Sequence, residues 1–414
     1  MRNRLILFGL VVAALLSLAG PALHADSKEQ VLYSFEEDDN GAYPEAGVIR
    51  DSQGNLYGTA NLAGADGGGT VFELTPHAGG WTFTLLHTFD VNNDGGYPRT
   101  GLLLDKSGNL YGTTSIGGPS DAGTLFELSP NGGGWTYQVI HDFDGTDGDS
   151  PSGDLVSDGK NTLYGVTGGG GGSKVCTFGC GTVFQLKRVG SAWKYKILYA
   201  FQGGADGSGP IGTLARDRAG NFYGMTALGG SAQCSGGCGT AFKLSLTAKG
   251  KWKKTTLPAL ADKKHGWFPY GGLTFGRAGN LYGTTGLGGN LNCNPPNGCG
   301  IVFQLTPQGK EDVIHRFTQS NGDGSFPGAS LILAKGGRLY GSTQEGGQNG
   351  NECSGCGTVF EVAPGGKVKT IYAFKGSDGA MPQAPLFWDG DSNLYGTTFE
   401  GGSGFTGTVF ELAP

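Results

Sequence analysis

A single motif recurs seven times along this chain and constrains its fold more than any other feature. In each copy a proline precedes a Tyr-Gly dipeptide by 13 residues, and successive tyrosines lie 53 to 59 residues apart. A period of this length indicates one supersecondary unit that is copied many times. We therefore expect the repeated positions to form a scaffold and any chemistry to lie where the copies differ. The seven pairs are Pro44/Tyr57, Pro98/Tyr111, Pro151/Tyr164, Pro210/Tyr223, Pro269/Tyr282, Pro327/Tyr340 and Pro382/Tyr395.

The second copy shows what each unit contains. Four apolar or β-forming runs are separated by short connections that are rich in glycine or polar residues. This pattern predicts four antiparallel strands joined as a meander. No stretch beyond residue 25 has the apolar period of a helix. The four runs are Thr100–Asp105, Asn109–Thr114, Gly123–Pro130 and Trp135–Phe143.

The number of copies and the two chain ends predict how the units assemble. One four-stranded sheet cannot bury both faces alone, whereas sheets arranged around an axis bury one another. A parallel β-helix is the alternative, but its rungs are usually much shorter. The last copy stops after its third run, Gly407–Pro414, and the first run, Gln30–Phe35, resembles the fourth run Gln138–Phe143. The sequence therefore predicts an all-β, seven-bladed β-propeller over residues 26–414, a single domain whose N-terminal strand completes the last blade.

Residues 1–25 have the pattern of a secretory signal peptide. Arg2 and Arg4 precede the apolar segment Leu5–Leu18, and small residues at Ala22 and Ala25 offer two cleavage positions. The apolar segment is short for a membrane span, and no second one follows it. We expect a monomer without a membrane span that is secreted, periplasmic or associated with the cell envelope.

The charge of the chain argues against nucleic acid as a partner. The formal net charge is −6 and the isoelectric point is about 5.5. Loss of the two arginines of the leader would lower the net charge to −8. No basic run is longer than Lys251–Lys254, whereas nucleic-acid-binding domains usually carry a basic patch or stripe.

Eight cysteines form four close pairs, each between the second and third runs of copies three to six. In an exported protein such pairs predict local disulfides that close the longer loops. Two alternatives stay open. The C-x-x-C motif of the last pair could be redox-active, and cysteines also bind zinc, although neighbouring blades would hold these pairs apart. The pairs are Cys176/Cys180, Cys234/Cys238, Cys293/Cys299 and Cys353/Cys356.

The string N-L-Y-G-T-T, followed by G-T-V-F-E-L-x-P, resembles the GloVer tandem-repeat family of exported bacterial proteins. The resemblance covers roughly residues 31–414 and implies export and a repeat architecture. It implies no activity and provides no catalytic residue. Members of that family carry different surface-sorting tails, and this chain ends at Pro414 without one, so surface attachment stays open. The string is nearly intact at Asn55–Ala60 with Gly69–Pro76, Asn109–Thr114 with Gly123–Pro130, Asn280–Thr285 with Gly300–Pro307, and Asn393–Thr398 with Gly407–Pro414.

The residue that follows the repeated proline differs in every copy, although its surroundings are nearly uniform. Antiparallel strand order places this position at the mouth of the central channel, on the face where propellers usually bind ligands. A variable position on a repeated frame is what a binding rim requires; solvated residues that vary freely are the alternative. Trp267 lies near the same position and is a candidate for a carbohydrate or peptide contact. The variable residues are Glu45, Arg99, Ser152, Ile211, Tyr270, Gly328 and Gln383.

Other polar groups favour structural roles. The crossover loops, such as Asp90–Gly96, are rich in Asp, Asn and Gly and could hold Ca²⁺, but none completes an EF-hand loop and such residues also form Asx turns. Three histidines share one position of the fourth run with tyrosines of other copies, which indicates an amphipathic ring in the scaffold. They are His87, His141 and His315.

Two functions are compatible with these features. The first is an exported binding module that recognises an extracellular glycan or protein through the channel mouth, without a metal, cofactor or catalytic residue. The second is an extracellular hydrolase or lyase that acts on a polysaccharide, with Glu45 and Arg99 in its active site. No nucleophile elbow is present, but propeller active sites are assembled from distant blades.

Overall fold

The structure is a computed structural model that describes residues 28–347, Cys353 and residues 355–414. Seven antiparallel sheets form seven blades around one axis, which confirms the predicted seven-bladed β-propeller. The proposed signal peptide lies outside the described residues. Within the described ranges, no helix is long and apolar enough to cross a membrane.

Each blade runs from an inner strand at the axis to an outer strand, and the inner strand is the shorter one in every blade except the fourth. The first blade uses β2 (Ile49–Arg50), β3 (Leu56–Ala60), β4 (Thr70–His77) and β5 (Gly80–Thr88), and the second uses β6 (Leu103–Leu104), β7 (Leu110–Thr114), β8 (Thr124–Asn131) and β9 (Gly134–Asp142). The third blade uses β11 (Val156–Ser157), β12 (Thr162–Gly169), β13 (Thr182–Val189) and β14 (Ala192–Ala200), and β10 (Asp149–Pro151) is an additional inner strand that also pairs with β12.

The remaining blades follow the same order. The fourth blade uses β15 (Ser208–Arg216), β16 (Phe222–Leu228), β17 (Thr240–Leu246) and β18 (Trp252–Leu257), and the fifth uses β19 (Thr274–Phe275), β20 (Leu281–Thr285), β21 (Ile301–Leu305) and β22 (Glu311–Arg316). The sixth uses β24 (Ile332–Leu333), β25 (Leu339–Thr343), β27 (Thr358–Val362) and β28 (Val368–Ala373), while β23 (Gly324–Ser325) and β26 (Glu345–Gly346) form a separate two-stranded sheet. The last uses β29 (Phe387–Trp388), β30 (Leu394–Thr398) and β31 (Thr408–Ala413). Short 3₁₀ turns occupy Gly204–Asp206, Lys263–His265, Arg277–Gly279 and Lys335–Gly337.

The N-terminal strand β1 (Lys28–Ser34) closes the ring. It pairs antiparallel with β31, from Lys28 opposite Ala413 to Ser34 opposite Thr408. The backbone N–H of Phe35 then donates to the carbonyl of Gly407 at 2.9 Å. The predicted closure is confirmed, and it leaves the last blade with a paired third strand instead of an exposed edge.

The Tyr-Gly dipeptide is repeated because a phenylalanine ring lies against its glycine. In the first blade Gly58 of β3 faces Phe72 of β4, and a Cβ atom added to Gly58 would lie 2.5 Å from that ring. The same close approach recurs in the other six blades. Any side chain at this position would therefore displace the buried phenylalanine.

These phenylalanines also join neighbouring blades. Phe72 meets Phe35, which follows the last blade's outer strand, edge to face with ring centroids 5.3 Å apart. Five further interfaces repeat the contact at 5.1 to 5.5 Å. In the remaining interface Leu260, which is 1% exposed, shares a cluster with Phe303. Such ring pairs add to the stabilisation from burial.

The closing strand β1 carries a half-buried carboxyl group, that of Glu29. The hydroxyl of Tyr372 donates to Oδ2 of Asp378 at 2.5 Å and also lies 3.3 Å from Oε2 of Glu29. Oε1 of Glu29 is buried without a hydrogen-bond partner. Burial, followed by the Asp378 charge, raises the pKa of Glu29 to about 7. Since a phenol has one proton, a protonated Glu29 is the form that can donate to it.

We expect Phe35→Ala to destabilise the ring, because Phe35 is fully buried between the first and last blades. Truncation of a buried phenylalanine typically costs about 3–5 kcal/mol. Chemical denaturation measures the change in the free energy of unfolding. Phe405→Ala is the matched control, since this side chain of the last blade is 78% exposed and should change stability by less than about 0.5 kcal/mol. Equal stability of both variants would rule out this closure.

The pH dependence of stability should reveal the half-buried Glu29. Its folded pKa of about 7 lies above the usual value of 4.5, so its neutral form is tolerated at low pH and stability is lost as pH rises through 7. We expect Glu29→Gln to melt with the wild type at pH 5 and at a higher temperature above pH 7. The exposed Glu36→Gln is the control. A constant difference between Glu29→Gln and the wild type across pH would contradict this assignment.

Candidate ligand-binding site at the channel mouth

One cavity on the propeller axis contains the variable position of every blade. Its volume is about 350 Å³, within the range usual for small-molecule sites. The residues after the seven repeated prolines all line it, so the structure brings the predicted rim together. They are Glu45, Arg99, Ser152, Ile211, Tyr270, Gly328 and Gln383.

The repeated proline positions each rim residue by docking on the preceding blade. The glycine that precedes each third strand leaves room for it: a Cβ atom on Gly69 would lie 2.8 Å from the Pro98 ring. The residue before the proline, Tyr97, has a φ of 56° and donates its N–H to the carbonyl of Gly68 at 2.8 Å. A bulky residue seldom adopts this left-handed conformation. Contacts between blades thus hold the crossover in place.

A second variable position contributes to the cavity and was missed by sequence reasoning. It lies four residues after each repeated tyrosine, where the second strand ends. Ser115, Gly168 and Gln344 line the cavity, and Asn61 contacts a rim residue. Its variation at a constant offset from the tyrosine was the signal that could have revealed it. The full set is Asn61, Ser115, Gly168, Ala227, Gly286, Gln344 and Phe399.

Three polar side chains form a connected group on one side of the mouth. Nε of Arg99 lies 3.5 Å from Oε2 of Glu45, and Nδ2 of Asn61 donates to Oε1 of Glu45 at 3.1 Å. Burial raises the pKa of Glu45, and the Arg99 charge opposes this shift. Oδ1 of Asn61 is buried without a partner. A buried acceptor in this state costs stability, a cost that is often retained at functional sites.

A further carboxylate, Asp154, lies deeper in the cavity. The backbone N–H of Gly101 donates to its Oδ1 at 2.6 Å, and the Thr213 hydroxyl donates to its Oδ2 at 2.9 Å. Asp154 therefore connects the second, third and fourth blades at the axis. The two hydrogen bonds fix the carboxylate and leave it with acceptor capacity toward the cavity.

One aromatic side chain, Tyr270, lines the mouth, and other aromatic rings pack nearby. The Tyr270 ring lies 5.0 Å from that of Phe268 and 5.3 Å from that of Phe326. Farther round the same face, Tyr43 lies 5.1 Å from Phe399. The mouth thus combines polar side chains with one aromatic ring, Tyr270, a combination suited to a ligand with both hydroxyl groups and an apolar face.

Trp267 does not lie at the channel mouth, contrary to the expectation from its position near Pro269. It is 9% exposed, and its indole N–H donates to the carbonyl of Asn297 at 3.1 Å. Its backbone pairs with Leu287, which turns the ring toward the loop of a neighbouring disulfide. The Lys263 ammonium lies 5.3 Å from the ring centroid. Trp267 therefore stabilises that loop instead of facing a ligand.

The three histidines form similar hydrogen bonds with aspartates of the crossover loops. Nε2 of His87 lies 2.9 Å from Oδ2 of Asp94, and Nε2 of His141 lies 2.9 Å from Oδ2 of Asp147. Nε2 of His315 lies 3.1 Å from Oδ1 of Asp323. The blades hold them apart. The loop aspartates also accept backbone N–H groups in Asx-type turns, as Asp90 does. Within the described ranges, no group of three or more His, Cys, Asp or Glu residues could hold a metal ion; that the loops form turns without Ca²⁺ stays a prediction.

All eight cysteines form the predicted local disulfides, and none is free among the residues that the structure covers. The zinc alternative thus loses its free thiols, whereas redox activity of the C-x-x-C pair stays an open alternative. Disulfides of this kind are typical of proteins that fold outside the cytoplasm. The bridges are Cys176–Cys180, Cys234–Cys238, Cys293–Cys299 and Cys353–Cys356.

The ring of repeats and the axial cavity define a tandem-repeat β-propeller. The sequence profile of the Gloeobacter/Verrucomicrobia repeat matches residues 22–178, 174–353 and 294–414. The chain therefore belongs to the Gloeobacter/Verrucomicrobia repeat family, as its motifs indicated. No curated protein matches it.

Solved structures share the fold at low sequence identity. A candidate 6-phosphogluconolactonase from Bacteroides uniformis ATCC 8492 is 16% identical, with a TM-score of 0.52 over 83% of this chain and 88% of its own. A candidate gluconolactonase is 12% identical, with a TM-score of 0.44 over 94% and 93%. A luciferin-regenerating enzyme is 11% identical, with a TM-score of 0.45 over 76% and 90%. At these identities the first match shows the fold alone.

Removal of the arginine should raise the pKa of Glu45 further. Arg99 is the cation that opposes the effect of burial on this carboxyl group, so Arg99→Ala removes its stabilisation of the ionised form. Carbon NMR titration of the side-chain carboxyl, assigned with Glu45→Gln, measures the pKa. Arg338→Ala, on the opposite face beside Glu361, should leave it unchanged. An unchanged or lower pKa in Arg99→Ala would contradict the proposed pairing.

Proposed function

We propose that this propeller is an extracellular binding module whose channel mouth holds the end of a glycan. The observation that carries the proposal is that one axial cavity brings together the Glu45–Arg99 pair and the Tyr270 ring among polar side chains. Hydroxyl groups of a sugar can bond to the polar side chains, and its apolar face can stack on Tyr270.

The dimensions of the site favour a chain end over the middle of a polymer. The cavity holds about 350 Å³ and is surrounded by all seven blades, so no open groove would let a long polymer pass across it. The rim is built from crossovers that are fixed by docked prolines, and a rigid rim loses little conformational entropy when a ligand binds.

A hydrolase or lyase that acts on polysaccharide is the second candidate. The raised pKa of Glu45 favours it, because a protonated carboxyl near a cation can serve as a general acid. Asp154 lines the same cavity and would be the second carboxylate that glycoside hydrolysis requires. We place binding first because Arg99 and Asn61 both engage Glu45, which gives it a structural role without turnover.

The test is a glycan array with the protein lacking residues 1–25, followed by calorimetry on any glycan that binds. We expect saturable binding without turnover, and a loss of about thirtyfold in Tyr270→Ala, the effect of removing a central aromatic contact of about 2 kcal/mol. Glu45→Gln and Arg99→Ala should also weaken binding. The matched controls Glu361→Gln and Arg338→Ala, which alter an ion pair on the opposite face, should bind normally.

Each other outcome has a defined meaning. Product release that disappears in Glu45→Gln would replace the binding proposal with the enzymatic one. If a protein or peptide binds and no glycan does, the protein is a binding module but its ligand is not a glycan. If all three mouth variants bind as well as the wild type, the binding site does not lie at the channel mouth.

A further inference from the structure

A second cavity continues the mouth along the propeller axis. Its volume is about 410 Å³. It is lined by inner-strand residues that lie three to six positions after the repeated prolines, so at about 3.3 Å per residue it is roughly 10 Å long. Four residues line both cavities and form a collar between them: Asp154, Thr213, Ser330 and Pro385.

Hydrogen bonds between blades hold the collar. Asp154 accepts from Gly101 and Thr213, and the Ser330 hydroxyl oxygen accepts the N–H of Gly272 at 2.7 Å. These bonds connect the second to the fourth blades and the fifth to the sixth. The passage between the mouth and the channel is therefore built from rigid elements, and its one ionisable group is Asp154.

The channel beneath the collar is mainly apolar. Ile49, Ala215, Ile332 and Phe387 line it. The hydroxyl of Thr274 donates a hydrogen bond to the carbonyl of Leu331. At the far end, the Arg216 guanidinium lies over the rings of Tyr164 and Phe222, 5.9 and 5.8 Å from their centroids. Apolar walls offer water few hydrogen-bond partners, so this space favours a hydrocarbon group.

We propose that the channel is a subsite for the hydrocarbon tail of an amphiphilic ligand whose neutral sugar head occupies the mouth. The proposal deepens the glycan-binding function and rests on it for the head group. We infer a hydrocarbon tail because the channel walls are apolar and the two cavities are directly continuous. We infer an uncharged head group because an anionic head at the collar would be repelled by the carboxylate of Asp154.

The ligand class is therefore an alkyl glycoside or glycolipid and not a fatty acid. Calorimetry with n-alkyl β-D-glucosides, from methyl to octyl and below micelle formation, tests it. We expect the dissociation constant to fall about fourfold per added methylene until the channel is filled. Octanoate should bind much more weakly than octyl glucoside, and Asp154→Asn should reduce that difference.

Ala215→Phe tests the position of the tail. Ala215 is the smallest side chain at its position in the seven inner strands, and Phe387 occupies the same position in the last blade. In this variant we expect affinity to stop increasing with the length of the alkyl chain, whereas the affinity for methyl glucoside should be unchanged. Ala248→Phe, in an exposed turn of the same blade, is the matched control. Ile332→Phe fills the channel from another blade if Ala215→Phe fails to fold.

The outcomes separate the channel from the mouth. If methyl glucoside binds and longer chains bind no better, the channel proposal is overturned and glycan binding stands. If octanol binds and both phenylalanine variants abolish its binding, while methyl glucoside does not bind, the channel stands and the sugar head is rejected. A gain from chain length that persists in two folded phenylalanine variants would also overturn the proposal.

Discussion

The fold depends on a phenylalanine that only a glycine can face. In each blade the glycine of the Tyr-Gly dipeptide leaves room for the third-strand phenylalanine, and in six interfaces that ring meets a second phenylalanine from the neighbouring blade, as Phe126 meets Phe89. One contact therefore links packing within a blade to packing between blades. Because it recurs at a constant offset, six of the seven interfaces pack alike, and Leu260 takes the place of the second ring in the remaining one.

The site inherits its rigidity from that frame. The repeated prolines dock on glycines of the preceding blade, and residues such as Tyr97 adopt a left-handed backbone, so the crossovers reach the axis in a fixed conformation. What varies is the side chain that each crossover presents. The same scaffold thus places a carboxylate, a guanidinium and an aromatic ring around one opening, which separates the residues that maintain the fold from those that differ between copies.

Sequence reasoning captured the features that depend on local spacing. The blade number, the closure by Gln30–Phe35, the disulfide pairs and the rim position each follow from offsets along the chain. It failed at two positions. Asp154 becomes a collar residue because the second and fourth blades both donate to it, and no offset within one repeat encodes a contact between blades. Trp267 was misplaced although its signal is local: its backbone pairs with Leu287, as Ala42 pairs with Leu62 and Gly96 with Ile116 at the same offset in other copies.

The central claim is that seven blades close on one axis and bring the variable residues to a single opening. A crystal structure of the protein without residues 1–25 tests it most directly. The account predicts seven blades, β1 paired with β31, and Glu45, Arg99 and Tyr270 around the same cavity. An open superhelix, a different number of blades, or these three side chains on separate surfaces would contradict it.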